Sequence, residues 1–263
     1  MILLLDADIP VYAYASSNQQ TFVWDEETTS VTTDLPKAKD DIDSFIERTM
    51  RTTRCKEVLC ALSSVEKNFR FGVLPTYKHN RKGTARPVLR EALNDYILAT
   101  YPTKRKPTIE GDDVLGILAT AYPGKYLIAT IDKDLRQIPG SHYNWFGAGK
   151  FFTVTKAEGD AWFYAQCLQG DMTDGYSGCP GFGKVAAQDF IDSPFYWESS
   201  VTKKGKEVWE KVPTTDIWRG IVSHYVKKGL TEADALVQAR CARILQHTDY
   251  NFKTDEVILW NPQ

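Results

Sequence analysis

Acidic residues in this chain gather in four short clusters. Asp6 and Asp8 close the opening apolar run, and Glu110, Asp112 and Asp113 follow one another closely. Asp132 and Asp134 come directly after KYLIATI, and Asp171 and Asp174 lie in a polar, glycine-rich stretch. Two carboxylates at 4 Å repel by about 4 kcal/mol at an effective dielectric of 20. A pocket of five or more therefore holds protons or binds cations. An all-oxygen ligand set favours Mg²⁺, Mn²⁺ or Ca²⁺ over zinc. Two such ions, roughly 3.5–4 Å apart, can ionise a water and stabilise both the attacking and leaving oxygens of a phosphate displacement.

Each cluster taken singly has an ordinary explanation. Asp112 and Asp113 fit the acidic first turn of a helix, where they satisfy amides and the dipole. Asp132 and Asp134 fit a loop. Asp8 stands two residues before Pro10, and turn chemistry is the reading kept for it. The joint occurrence of the four clusters, in this order, favours a site.

The elements that must position them are legible. Residues 1–5, EVLCAL (57–62) and KYLIATI (125–131) are short apolar runs ending in polar residues, as buried parallel strands are. Residues 37–54 are charged and helix-compatible. DDVLGILATAY has helical spacing, with acids at its start and Pro123-Gly124 as its stop. HYNWF and KFFTVT make a last pair of strands. The order predicts an α/β fold, a twisted and mostly parallel sheet with helices on both faces, whose sites form at the carboxyl ends of the strands. From Ala157 onward the pattern turns helical, and KKGKE (203–207) reads as a mobile surface loop.

Composition excludes little. The 263 residues carry a net charge of −2, which does not advertise a nucleic-acid binder, although local basic patches can act under a near-neutral total. The odd count of five cysteines, with no CxxC, argues against a zinc site or a disulfide framework and for a reducing cytoplasm. MILLLDADIP lacks a basic leader and reads as a buried strand. No apolar run reaches the roughly 18 residues of a membrane span. The four histidines show no ligand spacing, and no Ser/His/Asp constellation is evident.

The ordered set LLLDAD, YKHNRKG, IEGDD, TIDKDL and QGDMTDGYSGCPGFGKVAA resembles the flap endonuclease (5′-nuclease) superfamily, most of all its compact phage-type 5′→3′ exonucleases. The most specific motif is GDxxDGxxGxxGxGKxxA, over 170–187. The resemblance implies a metal-dependent hydrolase of DNA phosphodiesters. It implies two Mg²⁺ ions, replaceable by Mn²⁺, and DNA with 5′ ends, nicks or flaps as the partner. Asp6, Glu110, Asp112 and Asp113 match acidic metal-site positions. Asp132 and Asp134 match the paired aspartates, and Asp171 and Asp174 the second-metal aspartates. Lys78 and Arg81 match the basic pair on the scissile phosphate. The segment from Gly170 to about Ala187 matches a helix–turn–helix variant that grips duplex DNA and often binds K⁺ through carbonyls. The implied domains are a core over 1–165, with a short helical arch at about 82–108, and a helical duplex-binding region over 166–263, packed as one unit.

One departure is clear. The family usually has an aspartate between the second strand and YKxNR, where this chain has Ser63 or Ser64. Either Glu66 substitutes or the first ion has one fewer protein ligand. About 28 residues separate Arg81 from Glu110, and they include Arg86, Arg90, Lys104, Arg105 and Lys106. A basic gate for a single strand is preferred there over a solvated charged face. Lys82 and Arg86 join the expected DNA contacts. Tyr77 either stacks on a base or packs.

GCPGFGK (178–184) mimics a P-loop. We reject that reading, because Val185 stands where the Mg²⁺-binding hydroxyl belongs and no strand feeds the loop. Gly178, Gly181, Gly183 and Lys184 fit DNA backbone binding instead, with a plain glycine turn as the alternative. Two rival functions remain: a PIN-like ribonuclease, and a non-catalytic module that binds DNA by its structure.

Overall fold

In the computed structural model, which describes residues 1–24, 29–81, 83 and 85–262, the opening apolar run is strand β1 (Ile2–Asp6). It lies at the centre of a six-stranded sheet. Its neighbours are β4 (Val58–Ala61) and β6 (Tyr126–Ala129), both parallel to it. The sheet continues outward to β5 (Thr103–Lys104) on one side. On the other stand β7 (Gly140–Asn144) and the antiparallel edge strand β8 (Lys150–Val154). Leu3, Leu4 and Leu5 are fully buried, as expected for a strand covered on both faces.

Helices α1 (Asp8–Ser17), α2 (Leu35–Thr53), α4 (Arg90–Thr100) and α5 (Gly111–Ala121) pack around this sheet. The Asp34 side chain caps α2 by accepting from Lys37 N at 3.0 Å, and a left-handed Arg54 ends the helix. Ala38, Ile42, Phe45 and Ile46 form its buried stripe. A hairpin of β2 (Gln19–Val23) and β3 (Thr29–Thr33), unforeseen in the sequence, follows α1.

The chain divides into two compact units. One comprises residues 1–68, 83–154 and 244–256; the other comprises 69–82, 155–243 and 257–263. The second unit contains α3 (Arg70–Val73), α6 (Lys156–Gln169), α7 (Lys184–Asp192), α8 (Ile217–Lys227) and α9 (Glu232–Ala242). Thr155 and Glu158 form a capping box at the start of α6. The tail is not wholly helical. Strands β9 (Phe195–Val201) and β10 (Glu207–Pro213) form an antiparallel hairpin, and KKGKE builds its turn, closed by Thr202 N donating to Lys206 O at 2.9 Å. FYWESSV and EVWEKVP are rich in aromatic and β-branched residues, which suit strands, but lack a clean apolar–polar alternation. Among the described residues no helix is long and apolar enough to cross a membrane.

Candidate active site

The first unit brings its carboxylates to the carboxyl ends of the parallel strands, where helix N-termini also arrive. Asp6 ends β1 and is 1% exposed. Its Oδ2 accepts from Thr130 Oγ1 at 2.8 Å, and the same hydroxyl accepts from Asp132 N at 2.9 Å. Thr130 thus ties the end of β1 to the acidic turn after β6. Asp6 Oδ1 is buried with no hydrogen-bond partner. Burial, followed by the charge of Asp8, pushes the Asp6 carboxyl up to about 8; Thr130 opposes the shift and Asp132 adds to it.

Asp8 is not turn chemistry. Its Oδ2 accepts from both Ser63 N (2.8 Å) and Ser63 Oγ (2.6 Å). Ser63 Oγ in turn accepts from Gly111 N at 3.0 Å, so this serine joins α1, the end of β4 and the start of α5. A Cβ on Gly111 would stand 2.7 Å from Asp8 Oδ2, which explains the glycine at that helix start. Burial raises the Asp8 carboxyl and its Ser63 bonds lower it. Ser63, at the place of the missing aspartate, therefore holds another carboxylate. Glu66 is exposed, with its amide bonded to Ser64 Oγ at 3.0 Å.

Glu110 is at the N-cap position of α5, and Asp112 lies in the helix's first turn. Asp113 is different. It is fully buried; its Oδ2 accepts from Glu110 N and its Oδ1 from Leu245 N, each at 3.1 Å. That geometry makes Asp113 a clip between the helix start and residue 245. Asp113→Ala removes the acceptor of the buried Leu245 amide and of the part-buried Glu110 amide, and a buried donor left unmade costs about 1–3 kcal/mol. We expect a loss of about 3 kcal/mol or more in urea unfolding. Asp132 caps the short turn after β6, where its Oδ1 accepts from Asp134 N at 2.8 Å.

The expected arch contains α4. Leu93 and Ile97 are fully buried in the same core as α1 and α2, and Tyr96 and Tyr101 donate to Asp43 at 2.6 Å. The helix is docked along one face because its apolar positions recur at helical spacing. Arg86 is exposed, Lys104 lies in β5, and Lys106 pairs with Asp255 at 2.6 Å. Lys82 lies outside the described residues.

The second unit gathers its own group. Asp174 accepts from Arg81 Nη2 (2.7 Å) and Tyr77 OH (3.1 Å), and Lys78 Nζ lies 3.6 Å away. Lys78 N donates to Asp174 O at 2.8 Å, with Lys78 in the left-handed region at φ 51°. Tyr77 is 1% exposed and packs edge-on to Phe71. Its ring is core, and base stacking is ruled out in this conformation. Asp171 Oδ1 accepts from Thr173 N at 2.7 Å, bending the chain into the glycine-rich turn.

That turn joins α6 to α7, so no strand feeds it. Gly178 is buried; its amide donates to Gln238 Oε1 at 2.9 Å and is not offered to DNA. Gly181, Gly183 and Lys184 are exposed. Thr130 and Gln238 are positioning residues that sequence reasoning missed, and Ser63 stands out there only as the residue in place of an aspartate. Among the described residues no three of His, Cys, Asp and Glu are gathered closely enough to hold an ion.

No protein-family model matches the chain. The exodeoxyribonuclease of Enterobacteria phage T3 is 34% identical to it over 287 aligned positions, covering 100% of this chain and 93% of that protein. The exonuclease of Escherichia phage T7 is 34% identical over 286 positions, covering 99% and 93%. A solved structure of T5 5′-exonuclease with bound zinc matches with a TM-score of 0.52 at 16% identity, over 73% of this chain and 75% of that one. The bacteriophage T5 D15 flap endonuclease, in a complex with DNA and metal ions, matches at 0.51 and 15%, over 73% and 74%. At these identities the structural likeness shows the shared fold.

Proposed function

We infer the function from one premise, that this chain belongs to the phage exonuclease branch of the flap endonuclease (5′-nuclease) superfamily. It is a metal-dependent 5′-nuclease that hydrolyses DNA phosphodiesters near 5′ ends, nicks or flaps, in the cytoplasm of a phage's host. The observation that carries this reading is the carboxylate edge of the first unit, with Asp6 Oδ1 buried and unpartnered among acids. A buried oxygen of this kind lacks a proton or a cation.

Asp6, Glu110, Asp112, Asp132 and Asp134 are the ligands proposed for the first unit, and Asp171 and Asp174 for the second. An all-oxygen donor set suits Mg²⁺, with Mn²⁺ as substitute. When bound, two such ions supply an activated water and charge neutralisation at the phosphate. Thr130 orients Asp6 through its hydroxyl, and Ser63 fixes Asp8 beside the start of α5. Lys78 and Arg81, held by Asp174, supply positive charge for the phosphate. Asp113 acts as a clip. Gly181, Gly183 and Lys184 meet the duplex backbone, and the carbonyls of the turn suit K⁺. Backbone contacts carry no base information, so binding follows DNA structure.

The test is cleavage of a 5′-flap duplex, a nicked duplex and single-stranded RNA, with Mg²⁺ and with EDTA, beside Asp134→Asn. We expect chelator-sensitive DNA cleavage leaving 5′-phosphate and 3′-hydroxyl ends, lowered at least about 10²-fold in the variant. RNA cleavage in preference to DNA would instead support the ribonuclease reading. Binding without turnover in Mg²⁺ or Mn²⁺ would support the non-catalytic one.

A further inference from the structure

The β9–β10 hairpin sorts its side chains by face. Register pairs Trp197 with Lys211 and Glu198 with Glu210, and alternation places these two pairs on opposite faces. Trp209 shares the Trp197 face, and so does Glu207, four residues from Lys211 toward the hairpin turn. Helix α8 packs against β9 and brings Lys227 to that face. Lys227 Nζ stands 2.8 Å from the Trp197 ring centroid and 6.0 Å from that of Trp209. Lys211 Nζ stands 5.5 Å from the same Trp197 centroid. Lys228 follows in sequence, and its Nζ is 3.4 Å from where a Gly181 Cβ would stand, which puts it against the glycine-rich turn.

Among the described residues none of these three lysines has a carboxylate within salt-bridge distance. Burial first, and then the charges of Lys227, Lys211 and Lys228, depress the basicity of the buried His224. Three unneutralised ammonium groups sharing one surface repel one another, and an aromatic ring offsets this only in part. The arrangement is completed by an extended polyanion.

On the reading of this chain as a DNA-cleaving enzyme, we propose that Lys211, Lys227 and Lys228 form a second phosphate-binding surface. It continues from the glycine-rich turn along the hairpin and follows the backbone of duplex DNA. Trp197 holds two of the ammonium groups in place. Glu198 and Glu210 face away, while Glu207 stands on the same side near the hairpin turn.

The experiment is a salt titration of duplex binding by fluorescence anisotropy, with a nicked DNA in EDTA. Each phosphate contact contributes about 0.9 to the slope of log K against log salt. We expect the wild-type slope to fall by about 2 to 3 in Lys211→Gln/Lys227→Gln/Lys228→Gln, with affinity lowered at least about tenfold near 0.1 M salt. The triple Lys→Arg variant keeps the slope, which separates charge from misfolding. Glu198→Gln/Glu210→Gln leaves it unchanged. An unchanged slope in the Gln variant, with wild-type DNA binding intact, overturns the surface and spares the nuclease reading. Failure of the wild type to bind any DNA overturns both.

Discussion

Raising the pH of the cation-free protein from about 4 to about 8 should destabilise it, and Asp6→Asn should remove most of that loss. Asp6 is buried at the end of β1, and its carboxyl is pushed from 3.8 up to about 8, first by burial and then by Asp8. Between those values the folded chain keeps a proton that the unfolded chain has released. Stability therefore falls with rising pH across this window. The contribution is full below about 4 and gone above about 8. At about 1.4 kcal/mol per pH unit the loss is on the order of several kcal/mol. Asp8 is raised in the same direction, and its charge is one cause of the Asp6 shift, so the difference between wild type and Asp6→Asn reads Asp6 together with its effect on Asp8. Asn at position 6 can still accept from Thr130 Oγ1. A cation at this edge competes with the proton, so Mg²⁺ should stabilise the wild type more at pH 8 than at pH 5 and Asp6→Asn less at both. Urea unfolding in EDTA and in Mg²⁺ at the two pH values reads all four quantities. A wild type whose stability in EDTA tracks that of Asp6→Asn at every pH would show that Asp6 does not hold the proton.

The second large effect separates two glycines of one motif. Gly178 has φ +67°, and an added Cβ would stand 2.3 Å from Leu168 O and 2.4 Å from Gly170 N. Both neighbours are backbone, and the amide of Gly178 is tied to Gln238. Left-handed strain of about 1–2 kcal/mol adds to the clash, and overpacking adds typically 1–3 kcal/mol more. Gly178→Ala should therefore cost about 3 kcal/mol or more and disorder the turn. Gly183 is exposed at φ −100°, with no atom within 4 Å of an added Cβ. Gly183→Ala should leave the melting temperature within a few degrees of wild type and weaken DNA binding, because only the close approach of phosphate to the start of α7 is lost. Thermal unfolding and nicked-duplex affinity together decide. If Gly183→Ala binds as tightly as wild type, DNA does not approach the backbone at that point.

The parallel sheet was legible because each strand is a brief apolar run, and burial on both faces requires one. The acidic clusters were legible because strand ends and helix starts flank them. What stayed hidden depends on partners distant in sequence. Asp8 reads as a turn residue until Ser63, 55 positions on, is seen to hold it. Tyr77 reads equally as a stacking ring or a core ring, and its hydroxyl partner Asp174 lies 97 positions away. Gly178 resembles its exposed neighbours until Gln238, 60 positions on, takes its amide. The β9–β10 hairpin was hidden for another reason. Its strands are half-exposed and aromatic, and helical runs stand on either side.

The interrupted path of the chain bears on how it can be made. The first unit uses residues 244–256 as well as residues 1–68 and 83–154. Leu245 N reaches Asp113, Ile244 N reaches Gln137, and Lys106 pairs with Asp255. On the ribosome, Asp113 and Gln137 therefore wait for the amides of Leu245 and Ile244, more than 100 positions later. Such long-range closure slows folding and lengthens exposure of the unfinished core. A nascent chain halted near residue 243 would carry every acidic cluster, yet the helix that presents Glu110 and Asp112 would lack its last brace. Translation itself thus delays assembly of the carboxylate edge.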